Sequence, residues 1–406
     1  MVSVVKKWLT VRNPQDAVAL LLLGFALCLP ISVSVAQPFA YCAIVLWFFY
    51  YGRSSLREWR SSPFFWPVVV FVVLLLTGAL FGPRPEFSIP RSRRLLLLPV
   101  IFMMGSVFRL DATDPRRSAL APLALFVAGG TLLGIWDMLR VPVELAAGTA
   151  LYDTGNMRDP QLYMVSVCML IAWWIYRPAA IPWPVISVVT AINVVGLVLH
   201  FKRGVWIAFA LAALLVSGLT RRYQLAVLII LGMVALCFIP QTRERLQLLQ
   251  EELEQRTGGR RVLWSEVAPG LVQSYPLGAG FRGLEHEDYA AQTTSYIQPG
   301  LNHLHNNLIQ VTLDAGWLGG VVWLYWMGLT LFLMARAGRR FHRHDRSGAT
   351  VALACMAAFI GLMLNGLVEY NFGNSIIFMV ILFLMGMTQV LQQAAEPLTV
   401  TDTASR

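Results

Sequence analysis

Two histidines, His303 and His305, close a long polar segment just before an apolar run that begins at Trp317. An imidazole changes charge near neutral pH, so at a membrane face it can take a proton from a hydroxyl or give one back. A loop histidine is more often an ordinary surface residue, and what raises this pair above that is its company. Lys202 and Arg203 are squeezed between two apolar runs, Arg260 follows Gly258-Gly259, and Arg84, Arg91, Arg93 and Arg94 precede another run. Arginine forks match phosphate oxygens, and the amides at the start of a helix from Arg260 would add to the attraction. Arg203, Arg260, a member of the Arg91/Arg93/Arg94 group and His305 can therefore be expected to gather around a diphosphate at the bilayer surface. A diphosphate on a lipid-linked sugar leaves readily once its growing charge is neutralised. His305 would then act as general base on the acceptor hydroxyl that attacks the anomeric carbon.

Other chemistries fare less well. Glu285-His286-Glu287-Asp288 is an outward acidic cluster with a histidine, but four consecutive residues cannot all face one ion, so no metal or other cofactor is expected. A zinc site built on His303 and His305 lacks evident third and fourth ligands nearby in the sequence. His342 and His344 lie in a basic loop and read as solvated charge, and a serine nucleophile finds no Gly-x-Ser-x-Gly frame. Glu369, beside Tyr370 and Asn371, could orient an imidazole or a sugar, although a helix-end acid needs no such role. Asp153 and Arg158 could also contact sugar.

The elements that must hold these groups are membrane helices. With 406 residues, 57% of them hydrophobic, 13% charged and a mean hydropathy of +0.62, the chain is too apolar for a soluble domain of its size. Its formal charge of +10 reports residues that orient spans rather than contacts to nucleic acid, which is not expected as a partner. Cys28, Cys42, Cys168, Cys237 and Cys355 fall in apolar runs without metal-type spacing and read as small core residues. The start resembles a signal peptide, but continuing apolar runs favour an uncleaved first span.

Runs of span length give about twelve helices, near 16–35, 39–52, 64–81, 95–109, 119–138, 160–176, 183–200, 204–219, 222–239, 317–335, 349–368 and 374–392, the second of them short. The fold expected is an all-α polytopic membrane protein. Residues 1–239 form spans one to nine, 240–316 an outward loop, 317–392 spans ten to twelve and 393–406 a polar tail. With both termini cytoplasmic, the basic runs Lys6/Lys7/Arg12, Arg53/Arg57/Arg60, Arg109/Arg116/Arg117, Arg221/Arg222 and Arg336–Arg346 fall on one side. Arg84 to Arg94 and Lys202-Arg203 fall on the other. A cation kept there either snorkels to lipid phosphates or pairs with something negative.

Within the outward loop, Leu246, Leu249 and Leu253 mark an amphipathic helix. A short helix from Arg260 is expected to break at Pro269-Gly270, and Tyr275 to Phe281 is too glycine-rich for a helix but suits a tight backbone passage. Residues 306–314 read as a helix ending at Gly316, with His305 in its first turn. A twelve-span transporter is the competing class, but it would need matched charges at mid-membrane. Only Asp137 and Asn193 come near that description.

His305-Asn306 followed, after nine residues, by Gly316-Trp317-Leu318-Gly319 resembles the His-[Asn/Ser/Gln]-x9-Gly-x-x-Gly pattern of bacterial O-antigen ligases. Gly259-Arg260 with Trp264, and Pro276-Leu277-Gly278-Ala279-Gly280, resemble signatures of the wider ligase and polymerase superfamily, the second one residue short of its pattern; Lys202-Arg203-Gly204 resembles its basic turn. The resemblance implies a metal-independent, inverting, GT-C-like membrane glycosyltransferase of the inner membrane with a periplasmic site. His305 would be the base, with Arg203 and Arg260 on the diphosphate as catalytic residues. Lys202, Arg91, Arg93, Arg94, His303, Asn306 and Glu369 are the accompanying substrate-binding candidates. Its implied partners are a polysaccharide on undecaprenyl diphosphate as donor, the lipid A core as acceptor, and membrane lipids. A polysaccharide polymerase and a protein-glycosylating ligase share these motifs.

Overall fold

The computed structural model describes residues 11–148, 158–178, 181–240, 242–243, 259–297 and 300–395. The expected amphipathic helix around Leu246–Leu253, together with Lys6, Lys7, Asp153 and most of the tail, lies outside the described residues. Among the described residues the chain is helical, with one isolated bridge between Arg109 and Ser118 as its only extended pairing.

The helices run α1 Pro14–Cys28, α2 Val33–Arg60, α3 Phe65–Phe81, α4 Pro85–Arg91, α5 Val100–Val107, α6 Leu120–Ala146, α7 Asp159–Tyr176, α8 Trp183–Leu199, α9 Arg203–Thr220 and α10 Tyr223–Cys237. A helical stretch, α11, covers 260–274; α12 His286–Ala290, α13 Asn307–Phe341, α14 Arg346–Asn365 and α15 Ser375–Ala395 follow. Six of the described helices are long and apolar enough to cross a membrane, or seven if the bent pair Ser54–Arg60 and Phe65–Phe81 is one span. The architecture is that of a polytopic all-α membrane protein. Apolar stretches at α1, α8 and α10 are shorter helices of the same character.

Several boundaries differ from expectation. The second apolar run is not short: α2 carries Pro38 inside its second turn and still continues past Gly52 to Arg60. The fourth run is not one helix, because a 3-10 turn over Ser92–Leu97 tightens the chain before Pro99 and α5. Cys42 and Cys237 are exposed on outer helix faces rather than buried in the core. Pro269-Gly270 does not end α11, since a π-helical turn over Leu263–Val267 re-registers the hydrogen bonds and seats Pro269 in the opening turn of the next α segment.

The core is one apolar cluster centred on α14 and α15, with Phe378, Phe383 and Phe359 essentially sealed. A smaller cluster under the segment between α10 and α13 joins Val262, Leu263, Val267 and Leu271 of α11 to Tyr289, Leu304 and Leu313. That second cluster fixes the loop on the bundle, and it is what sets the histidines in place.

Candidate active site

Asn306 caps α13, its side-chain oxygen accepting from the Ile309 amide at 3.0 Å, so the helix begins at Asn307. His305 therefore stands outside the helix rather than in its first turn, in a left-handed backbone conformation with φ 48°. A residue other than glycine held there reflects a local constraint. The constraint is visible on both sides. Leu304 donates its amide to Gln310 Oε1 at 2.8 Å and accepts from Trp264 Nε1 at 2.8 Å, while Asn306 Nδ2 donates to the Leu367 carbonyl at 2.8 Å.

Gly316 interrupts α13 with φ 77°, and a Cβ there would lie 2.6 Å from the Pro276 carbonyl oxygen. Gly278, at φ 101°, meets Asp314 O at the same 2.6 Å. The glycine passage runs against this break, with Ala279 and Gly280 donating to the Leu313 and Asp314 carbonyls at 2.8 and 3.0 Å. Only glycine permits both the turn and the approach. The spacing from His305 to Gly316 is thus the length of one short helix that sets the imidazole at its start and the glycine passage at its end.

Opposite His305, the turn between α14 and α15 brings in Glu369. His305 Nδ1 lies 3.2 and 3.3 Å from its two oxygens, and His303 Nε2 lies 3.4 Å from Oε1. Arg260 reaches the same carboxylate at 3.8 Å and donates Nε to the Val368 carbonyl at 2.8 Å. Burial alone would raise the Glu369 carboxyl, but hydrogen bonds from His303 and His305 overcome it and hold the group far below the usual carboxylate range. Burial moves His303 the other way from its charged form, lowering its pKa against the pull of Glu369. His303 also meets Asn302 Oδ1 through Nδ1 at 2.8 Å, and its ring centre is 4.2 Å from that of His305.

A cavity of about 420 Å³ adjoins this cluster. Lys202, Arg203, Arg260 and Glu369 line its polar end, with Ile207, Leu211 and Leu364 among the apolar residues of its wall. Phe201, at φ 51°, turns the chain sharply so that Lys202 and Arg203 stand at the start of α9. Arg203 and Arg260 are therefore brought together as expected, beside the carboxylate that holds His305.

The Arg91/Arg93/Arg94 group goes elsewhere. It lines a second cavity, of about 510 Å³, with Arg282, Glu285 and Asn302. Arg94 donates to the Phe372 and Gly373 carbonyls at 3.2 and 2.8 Å and packs 4.1 Å over Phe281, while burial lowers its pKa to about 10. Arg91 donates to the Arg282 carbonyl, and Arg84 is taken up by Asp288. The reason is local: the end of α4 presents Arg91, and the 3-10 turn at Ser92–Leu97 carries Arg93 and Arg94 along α15 and the glycine passage, away from α9. The acidic run is a short capped helix, Glu285 and Asp288 forming a capping box.

One sequence expectation needs correcting. His303, His305 and Glu369 present ligand atoms within 4.8 Å of one another, so a third metal ligand does exist, contributed by a distant turn. The Arg260 guanidinium beside Glu369 already supplies positive charge there and opposes a further cation.

Residues 186–324 match the family model for O-antigen ligase. That stretch is an O-antigen ligase-family domain. It runs from within α8 into α13 and contains Lys202, Arg203, Arg260, His303 and His305, whereas Glu369 and the Arg91 group lie outside it. No curated protein matches the chain. The O-antigen ligase domain also contains two residues that the sequence reading passed over. Arg282, at φ 49°, lies 5.8 Å over Tyr370, and its place directly after the glycine passage was the available signal. His200 is sealed at 0% exposure and bonded to Asp137 at 2.9 Å. Asp137 in turn accepts from Tyr163 at 2.6 Å and pairs with Arg140 at 2.8 Å. An apolar run ending in histidine gave no sign of that network.

Proposed function

We propose that the chain is an O-antigen ligase that moves a polysaccharide from undecaprenyl diphosphate to a sugar hydroxyl of the lipid A core, with inversion and without a metal. The observation that carries this reading is Glu369, which holds His305 on one side and Arg260 on the other, at the mouth of the cavity lined by Lys202 and Arg203. The donor's diphosphate lies among Lys202, Arg203 and Arg260, and its prenyl chain follows the apolar wall. With Nδ1 donating to Glu369, His305 keeps Nε2 to accept the acceptor's hydroxyl proton. The acceptor oxygen bonds to the anomeric carbon as the bond from that carbon to phosphate breaks, and the diphosphate leaves with the electron pair while the cations neutralise it.

The acceptor approaches by way of the second cavity, where Arg93 and Arg282 suit a phosphorylated lipid A core and Asn302 adjoins His303. The helices are read as twelve spans of a GT-C-like enzyme in the inner membrane, both termini cytoplasmic and the site periplasmic. The test is transfer by purified protein offered lipid A core or a second lipid-linked repeat unit. Extension of the core is the expected result; extension of the repeat unit instead would make the chain a polymerase.

A further inference from the structure

At the far end of α13, roughly 37 Å of helix from Trp317, a cavity of about 880 Å³ opens between α7, α8, α10 and the α13–α14 turn. Its rim carries Arg177, Arg222, Arg343 and Arg346. The one carboxylate on that rim, Asp345, is engaged in capping α14, accepting from the Ser347 amide at 2.9 Å. Beneath the rim the walls are apolar, with Ile171, Trp174, Ile175, Leu225 and Leu228. None of the residues of α10 is buried, and Leu228 is 66% exposed, so the open flank of the cavity faces the region where acyl chains lie.

The rim is braced. Arg177 takes a left-handed conformation, φ 48°, and its guanidinium sits 4.0 Å from the centre of the Trp183 ring. Trp183 packs on Trp174 at 4.2 Å, and Trp174 donates to Thr190 at 3.1 Å. A second cavity, of about 650 Å³, adjoins the first across Tyr176 and His342, whose hydroxyl and Nδ1 are 2.9 Å apart. Arg343 lines both, Arg339 belongs to the second, and Leu353 and Met356 are among its apolar residues.

Arginines that merely snorkel each reach water along their own stems. Five that converge on two joined hollows with apolar walls instead match a ligand with an anionic head and acyl chains. We propose that this end of the bundle binds an anionic phospholipid carrying two phosphodiesters. One phosphate lies by Arg177, Arg222 and Arg346 and the other by Arg339, with Arg343 and the Tyr176–His342 pair between them. Charge bias assigns this end to the cytoplasmic leaflet, where such lipids meet basic pockets between helices. The site stands apart from the transfer chemistry and does not depend on it.

Native mass spectrometry of the full chain in mild detergent tests this with diphosphatidylglycerol, phosphatidylglycerol and phosphatidylethanolamine as probes. Retention should fall in that order. Arg222→Gln and Arg343→Gln should each weaken retention of diphosphatidylglycerol roughly fivefold, and the pair about 30-fold. The charge-keeping double variant Arg222→Lys/Arg343→Lys should keep most of it, which separates loss of charge from loss of fold. Equal retention of phosphatidylethanolamine, or indifference to the double glutamine variant, would overturn the proposal. So would displacement of the lipid by a millimolar excess of inorganic phosphate, which would mark a site for free anions.

Discussion

Among the described residues two carboxylates each hold histidine, Glu369 with His303 and His305 and Asp137 with His200, and their surroundings separate their roles. His305 and Glu369 keep 28% and 13% of their side chains exposed, at the mouth of a cationic cavity. His200 and Asp137 are sealed, at 0% and 1%, with Tyr163 and Arg140 completing the ring of partners. The first imidazole has a nitrogen to offer a substrate; the second has no route to one. On the proposed reading a histidine–carboxylate pair serves transfer in one place and cohesion in the other, and access to substrate decides which. The sealed pair still touches function indirectly, because His200 is the residue before Phe201, whose left-handed turn presents Lys202 and Arg203.

That contrast can be broken by experiment. The largest effect is expected at the sealed pair: His200→Ala removes one partner of the buried Asp137, leaves Arg140 and Tyr163, opens a cavity and should cost about 2–4 kcal/mol of stability. Thermal unfolding in detergent reads that loss, and transfer per folded molecule should fall far less than for changes at Glu369. Glu369→Gln should cost less stability than that, since its ionic partners stay partly exposed, and should slow transfer about 100-fold, the lower range for a positioned base. If the two variants exchanged these signatures, the assignment of roles would be reversed.

Smaller effects sharpen the site itself. Arg203→Lys and Arg260→Lys should each cost about 1.5–3 kcal/mol in transfer, the worth of a charged hydrogen bond; silence in both would move the diphosphate elsewhere. Acid tests the Glu369 pairing itself. Because the Glu369 carboxyl is held far below its unfolded value, its contribution to stability is complete above the ordinary carboxylate range and disappears only as pH falls towards its depressed folded value. Unfolding followed from pH 7 to about pH 5 should therefore show no loss attributable to Glu369 when wild type and Glu369→Gln are compared. A chelator should change transfer least of all, and activity lost to chelation and restored by zinc would make His303, His305 and Glu369 a metal centre.

Much of the membrane architecture was legible because bilayer-length apolar runs leave few other readings. The histidine, the glycine passage and the basic turn were legible because each needs particular residues at particular spacings. Other features depended on pairing across long intervals. Glu369 lies 64 positions from His305, and only the fold shows that it faces both histidines and so offers a third metal ligand. The Arg91 group shared the sign and the side expected of donor ligands, but the end of α4 and a 3-10 turn carry it to another cavity. His200 closed an apolar run and gave no sign of its partner Asp137, because a buried polar network depends on which helices touch. The π-turn before Pro269 left no periodicity to read.

The most direct test of the central claim follows donor binding and transfer together in purified His305→Ala. The account predicts that lipid-linked polysaccharide still binds through Lys202, Arg203 and Arg260 while its passage to the lipid A core falls about 100-fold or more. Transfer at a near-normal rate by that variant would contradict it.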